Sequence, residues 1–371
     1  MPLNTSSEVG KRLGHAMAES VGFLKSVACA LGPMLGLDLY QAADVIVGET
    51  GDCMALPELV QRGVTDQLVG RTCALLPELP VEKGPRSWRL STRPQIATRR
   101  LWDGIERDLD DLEQQWGNAP LIKTRLMGPW SLATRIELAN GHRAVTDRGA
   151  MRDIAAIMAE AIHEHCGDLR RRFGAQVVVQ LHEPDAVALM HGTVPGTTDF
   201  DVIRAVHVKD LVEVLAPLVS SVQSHEHSAV VLSAISAAAV PQSESTAAVI
   251  ELMRGAGATS MVINPRDLCG TKALDACGNA LSSGVGAIWA LPAPGLSTPT
   301  PVGELVEDPE RHAAIQLAKL IDEMGLDRSV LETSSVTQQL FTLPSTILDA
   351  ARHLQHIVRV RTMLREDAGD L

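Results

Sequence analysis

Short apolar runs that alternate with longer amphipathic stretches constrain the fold of this chain more than any other feature. Four of the runs consist almost entirely of apolar and small residues: VVVQL, AVVLS, SMVIN and GAIWAL. A strand that is apolar on both faces is typical of a parallel sheet covered by helices on both sides. The sequence therefore predicts an α/β fold.

Eight strands are predicted, and most are followed by a helix, which favours a single (β/α)₈ TIM barrel. The alternative is a doubly wound open sheet. Neither a G-x-G-x-x-G motif after an early strand nor a P-loop occurs, so nucleotide-binding chemistry of those types is not supported. The predicted strands are 26–31, 44–47, 121–126, 176–181, 229–233, 259–263, 285–291 and 329–333, and the predicted helices are 147–173, 208–222, 243–255, 309–324 and 344–364.

The predicted domain organisation is simple. Residues 1–20 form an N-terminal tail, residues 21–365 form the barrel, and residues 366–371 form a C-terminal tail. The segment between Thr50 and Arg100 is rich in proline, glycine and arginine, and it is predicted as a long covering excursion after the second strand.

Charge and composition exclude several classes of function. The chain has 33 basic and 45 acidic residues, a net charge of −12, and only 3% aromatic residues, which argues against nucleic acid as a partner. The longest apolar stretch, 229–240, is shorter than the roughly 20 residues of a membrane span. Six dispersed cysteines predict free thiols in a reducing cytoplasm.

Several segments resemble one known family. They include VACALGPMLG, DVIVGETGDCMALPEL, LIKTRLMGPWSLATRIEL and VVVQLHEPDAVALMHGTVP, in that order along the chain. Together they resemble cobalamin-independent methionine synthase, specifically its catalytic C-terminal barrel and its short actinobacterial-type single-barrel relatives. The resemblance covers residues 21–365.

The resemblance implies methyl transfer from a folate or a corrinoid to the thiol of homocysteine, with zinc held by a His-x-Cys pair, an acidic residue and a late cysteine. The neighbourhoods of those ligands here carry Ser233 and Ile235, then Asn264, then Ser335. A serine hydroxyl is a poor zinc ligand because it stays protonated near neutral pH. We therefore expect no metal and no cofactor, with Ser233 and Ser335 bonded to each other or to a shared water.

Four residues are the candidates for binding a small molecule at the barrel mouth. His182 and Glu183 stand where the family has an acidic pair before proline, at the end of a central strand. Gly128 and Trp130 follow the preceding strand and would form an apolar wall. The alternative is structural: a hydrogen-bonded strand end and a tryptophan that covers the barrel.

Two other functions remain open. An active S-methyltransferase would need zinc ligands from other positions, for which His182, His191, Cys53 and Cys29 are the candidates. A relative of the porphyrinogen decarboxylases would need cationic groups, for which Arg71 and Arg86 are available. The first hypothesis is a non-catalytic ligand-binding or regulatory protein, and its oligomeric state is left open.

Three further patterns receive structural interpretations. His163 and His165 are two apart on a predicted helix and diverge, while Cys166 fits the apolar face of that helix. Asp267 is predicted to cap the following helix. The His-Glu-His segment at 225–227 is predicted as a solvated loop.

Overall fold

The computed structural model describes residues 24–84, 86–198, 202–224, 228–235, 243–294, 308–339 and 346–371. The predicted N-terminal tail and the His-Glu-His segment at 225–227 lie outside these ranges.

Eight parallel strands form a nearly closed barrel surrounded by helices, which confirms the predicted TIM-type α/β architecture. The order around the barrel is β1-β11-β10-β9-β8-β7-β5-β2. The strands of the chain are β1 (Ala28–Cys29), β2 (Met54–Ala55), β3 (Val81–Lys83), β4 (Trp88–Leu90), β5 (Leu121–Met127), β6 (Ile136–Glu137), β7 (Gln176–His182), β8 (Ser228–Ser233), β9 (Ser260–Ile263), β10 (Gly286–Leu291) and β11 (Ser335–Gln338).

The barrel closes at the seam between β1 and β2, the first and last strands in this order. The segments that follow the two strands are joined there. Pro33 and Glu58 form a parallel bridge, and the Glu58 backbone N–H donates to the Gly32 carbonyl at 2.9 Å. Cys29 and Cys53 form a disulfide across the same seam, with their Cα atoms 5.3 Å apart. The prediction that all six cysteines are free thiols is therefore wrong for this pair.

The covering excursion contains the second barrel strand and a small separate sheet. Strands β3 and β4 pair antiparallel, and β4 pairs in parallel with β6. This sheet of three strands is therefore built from the excursion and from a segment that follows β5.

The helices were predicted more accurately than the short strands. The helix at 148–173 begins at Asp147, whose carboxylate accepts from the backbone N–H groups of Gly149 and Ala150, and it ends at Gly174 with φ +62°. The helices are α1 (Leu39–Thr50), α2 (Leu68–Ala74), α3 (Ile96–Trp116), α4 (Pro129–Arg135), α5 (Arg148–Phe173), α6 (Ala186–His191), α7 (Val208–Gln223), α8 (Ser243–Gly255), α9 (Thr271–Ser282), α10 (Pro309–Glu323), α11 (Ser329–Thr333) and α12 (Ile347–Glu366).

Two predicted strands are wrong. Residues 44–47 belong to α1, whose buried Leu39, Ala42, Ala43 and Ile46 recur at helical spacing. Residues 329–333 form α11, and the last barrel strand follows it at Ser335. The second barrel strand, β2, has only two residues and no pattern that distinguishes it from a loop.

The hydrophobic core lies between the barrel and its helices. Trp289 and Phe173 are its largest fully buried side chains. The C-terminal residues pack onto the fold, because Ala368 is buried and the Leu371 carbonyl accepts from Arg328 at 3.2 Å. Within the described ranges, every helix is too short or too polar to cross a membrane.

Candidate ligand-binding site

The carboxyl ends of the parallel strands meet at one edge of the barrel, where barrel enzymes place their sites. On β5 the side chains alternate between two environments. Thr124 bonds His165 of the surrounding helix α5 at 3.2 Å, so the neighbouring Lys123 and Arg125 point into the barrel. By the same alternation, Gln180 and His182 of β7 face inward, in register with Arg125 and Met127 of β5.

An ion pair lies inside the barrel near its mouth. Arg125 Nη1 lies 2.9 and 3.2 Å from the two carboxylate oxygens of Glu58. Their side chains are 10% and 3% exposed, so the pair is largely removed from water. Gly32 has φ +133°, and a Cβ atom there would overlap the Glu58 carboxylate, so glycine is required for this arrangement.

Lys123 is a buried amine beside that pair. Its Nζ donates to the Leu31 carbonyl and to Gln180 Oε1, both at 3.0 Å. The pKa of Lys123 is lowered to about 7, mainly by burial and also by the positive charge of Arg125, and Glu58 opposes both effects.

Sequence reasoning missed the interior group of Glu58, Lys123, Arg125 and Gln180. A signal was present, because Lys123 and Arg125 stand two apart in an otherwise apolar strand and must therefore share one face. Charged residues at that spacing in a buried strand indicate a polar interior.

Glu183 stabilises the start of a helix. Its two carboxylate oxygens accept from the backbone N–H groups of Trp130 at 3.0 Å and Ser131 at 2.7 Å, at the beginning of α4. Burial raises the pKa of Glu183 to about 7, and the hydrogen bonds from Ser131 and Trp130 oppose that rise. Gly128 lies against this carboxylate, and a Cβ atom there would overlap it.

We expect Gly128→Ala to lower the free energy of unfolding by about 1–3 kcal/mol, because the added methyl overpacks the Glu183 carboxylate. Urea denaturation measures the change. The matched control is Gly104→Ala within helix α3, where a Cβ atom meets nothing within 4 Å. There we expect a gain of about 0.5–1 kcal/mol from helix propensity. Equal effects of the two substitutions would contradict the steric argument.

His182 faces the barrel mouth and bonds a neighbouring strand end. Its Nδ1 lies 3.2 Å from the Ser233 hydroxyl at the end of β8. Burial lowers the pKa of His182 well below its ordinary value, and the positive charge of Arg125 adds to this. The imidazole is therefore neutral near pH 7.

Trp130 is buried against helix α7. Its indole Nε1 donates to the Leu211 carbonyl at 3.1 Å. The contact joins the indole to a surrounding helix, and both the ligand-binding role of Trp130 and the structural alternative stay predictions.

The neighbourhoods expected to hold zinc ligands do not form one group. Ser233 bonds His182, whereas Ser335 is the first residue of its strand and bonds the backbone of Leu24 and Val27. Ser233 is the last residue of β8 and Ser335 is the first residue of β11, so they lie at opposite ends of the barrel strands, and the expected direct contact between them is wrong. Asn264 caps the short 3₁₀ turn after β9 by accepting from the Arg266 N–H at 3.1 Å.

These residues do not fit a zinc ion. Ser233 and Asn264 are neutral oxygen donors engaged in hydrogen bonds, and Ile235 offers no donor atom. In the part of the chain that the structure describes, no three His, Cys, Asp or Glu side chains are placed to hold a metal.

The alternative zinc ligands are also separated. Cys29 and Cys53 are bonded to each other, and His182 bonds Ser233. His191 bonds the Ser245 hydroxyl at 2.8 Å, beside a surface cavity of about 260 Å³ between α6, α7 and α8.

The arginines considered for an acidic porphyrin have protein partners. Arg71 pairs with buried Asp108 at 3.1 Å. Arg86 pairs with Glu137 at 2.7 Å and also donates to two carbonyls of the polypeptide.

The helix α5 residues are packed as predicted. His165 and Cys166 are buried, and burial lowers the pKa of His165 to about 4 and raises that of Cys166 to about 11. Asp267 does not cap the following helix, whose N-cap is Gly270. Its carboxylate instead accepts from Asn264 Nδ2 at 2.9 Å.

Searches with family models and against curated proteins give no match for this chain. Among solved structures, the chain is similar to a B12-independent methionine synthase from Shewanella sp. W3-18-1 in complex with selenomethionine. The two share 12% identity over 77% of this chain and 72% of that chain, with a TM-score of 0.47. The fold assignment given above rests on strand order and register in the chain itself.

Proposed function

We propose that this chain is a diverged relative of cobalamin-independent methionine synthase that binds a small molecule at the carboxyl ends of its barrel strands without catalytic zinc. The sequence motifs GPWSLA and VVVQLHEP support the relationship. The barrel supplies the polar interior that a ligand site needs.

The observation that carries the proposal is the hydrogen bond between His182 and Ser233. It joins the ends of two adjacent strands, where the family would place an acidic residue and the first zinc ligands. A neutral imidazole bonded to a hydroxyl carries no positive charge, so it cannot replace a zinc ion in stabilising a substrate thiolate. The proposed role is therefore that of a binding or regulatory protein, and methyl transfer to homocysteine is the alternative function.

We expect the purified chain to contain well below one zinc per molecule and to transfer no methyl group to homocysteine. Elemental analysis after purification without chelators measures the zinc. The transfer assay uses methyltetrahydrofolate and methylcobalamin as donors. One zinc per chain, or methionine formed with either donor, would contradict the proposal.

A matched variant shows whether the metal assay can detect a site at this position. The double substitution Ser233→His and Ile235→Cys restores the first two donors of the family pattern, at the end of β8 and two residues beyond it. Since imidazole and thiolate are strong zinc ligands, we expect this variant to retain more zinc than the original chain under identical purification.

A further inference from the structure

Two buried glutamine side chains have polar atoms without a partner. Gln180 Nε2 and both Nε2 and Oε1 of Gln339 make no hydrogen bond in the structure, in which the two residues are 2% and 6% exposed. Buried amide groups in proteins are nearly always hydrogen-bonded, so an unpartnered one indicates a missing water or ligand.

One of the two amides contacts Lys123 directly, and the strand register places the other near it. Gln180 Oε1 accepts from Lys123 Nζ, which also donates to the Leu31 carbonyl. Cys29 of β1 is in register with Thr337 of β11, so two residues further along, Leu31 lies beside Gln339. The strand alternation puts Gln339 on the same inner face as Thr337.

The interior around Lys123 has an excess of positive charge when its amine is protonated. Arg125 is matched by Glu58, so the charge of Lys123 has no carboxylate of its own in the described residues around it. A buried unpaired charge is unfavourable, and a bound monoanion would remove the imbalance. Lys123 also keeps one N–H beyond the two hydrogen bonds that it makes.

The hydrogen-bond donors and acceptors that still lack a partner define the chemistry of a ligand. Lys123 and the two amide NH₂ groups are donors, which suits the two oxygens of a carboxylate. Gln339 Oε1 is a single acceptor, which suits one hydroxyl. An ammonium group is disfavoured, because the carboxylate of Glu58 is occupied by Arg125 and that of Glu183 by the start of α4.

We propose, on the basis of the function proposed above, that the barrel interior binds a small monoanionic hydroxycarboxylate through Lys123, Gln180 and Gln339. The carboxylate accepts from the two amide NH₂ groups and neutralises the lysine, and the hydroxyl donates to Gln339 Oε1. A small zwitterionic amino acid such as glycine binds more weakly, because its ammonium finds no free carboxylate.

The test is calorimetric titration with lactate, acetate and glycine at pH 6.5 in chloride-free buffer. We expect lactate to bind more tightly than acetate and at least tenfold more tightly than glycine. Lys123→Met and the polar variant Lys123→Gln should each weaken lactate binding at least tenfold, because a charge-assisted hydrogen bond is lost. Gln339→Leu should reduce the preference for lactate over acetate.

The control is Lys272→Met, which removes an exposed lysine that pairs with Glu244. We expect it to leave lactate binding unchanged, and thermal unfolding confirms that each variant is folded. Equal lactate binding by the folded Lys123→Gln variant, glycine binding as tight as lactate, or no lactate binding at all would overturn this inference.

The two proposals fail in different ways. Zinc and methyl transfer would refute the proposed function and say nothing of lactate. A zinc-free, inactive chain that binds no lactate would leave the proposed function standing and refute the hydroxycarboxylate site alone.

Discussion

Replacing Arg125 with methionine is expected to lower the free energy of unfolding by about 3–5 kcal/mol, because the substitution leaves the Glu58 carboxylate buried without its partner. Glu58 is 2% exposed, and the hydrogen bond from its backbone to the Gly32 carbonyl fixes it at the seam where the barrel closes, so its carboxylate stays buried. Urea denaturation at constant pH measures the loss.

Two controls separate the buried charge from other effects of removing an arginine. Arg254→Met removes an exposed partner of Glu251, and we expect it to change stability by no more than about 0.5 kcal/mol. Adding Glu58→Gln to Arg125→Met removes the unpaired charge, so the double variant should recover a substantial part of the lost stability. A single Arg125→Met variant no less stable than Arg254→Met would contradict the assignment of a buried ion pair.

Acidification should destabilise this protein through His165, and the substitution His165→Gln should remove that effect. Burial lowers the pKa of His165 to about 4, against 6.5 for an exposed histidine. The unfolded chain therefore binds a proton that the folded chain does not between pH 6.5 and pH 4. Stability from this group is present above pH 6.5 and is lost as pH falls, by about 3 kcal/mol for a pKa difference of about 2.5.

The measurement is the free energy of unfolding at pH 7 and pH 4 for both chains. We expect the glutamine variant to lose about 3 kcal/mol less than the original, since its amide can still bond Thr124 and does not titrate. The two chains are compared because other groups also change stability between pH 7 and pH 4. The pKa values of Glu183 and Asp267 are raised to about 7 and about 6, so these two carboxyls stabilise the folded state as the pH falls, opposite to the effect of His165. Parallel pH profiles for the two chains would contradict a buried, neutral His165.

Most of the fold could be predicted because long buried strands and amphipathic helices leave periodic patterns. Strand β7 and helix α5 were both predicted within two residues of their bounds. Short elements were missed for a physical reason. The two residues of β2 are strand-like only because β5 pairs with them, and α1 was mistaken in part for a strand because its apolar residues are close together.

The placement of two candidate residues along the barrel could be predicted, but the orientation of their side chains could not. His182 and Glu183 do lie at the end of a central strand, yet the Glu183 carboxylate is turned to the backbone of α4. The role of Lys123 depends on Gln180 and Leu31, which are 57 and 92 residues away along the chain.

The sequence by itself determined a parallel sheet covered by helices, since runs that are apolar on both faces of a strand are typical of that environment, and it favoured a barrel over a doubly wound open sheet. It also determined that thiol and imidazole donors are missing after β8. Only the tertiary structure decided that Cys29 meets Cys53, that Arg125 meets Glu58, and that amide atoms of Gln180 and Gln339 are buried without a partner among the described residues. These contacts join residues distant in the chain, and their geometry depends on how the barrel closes, which local periodicity does not encode.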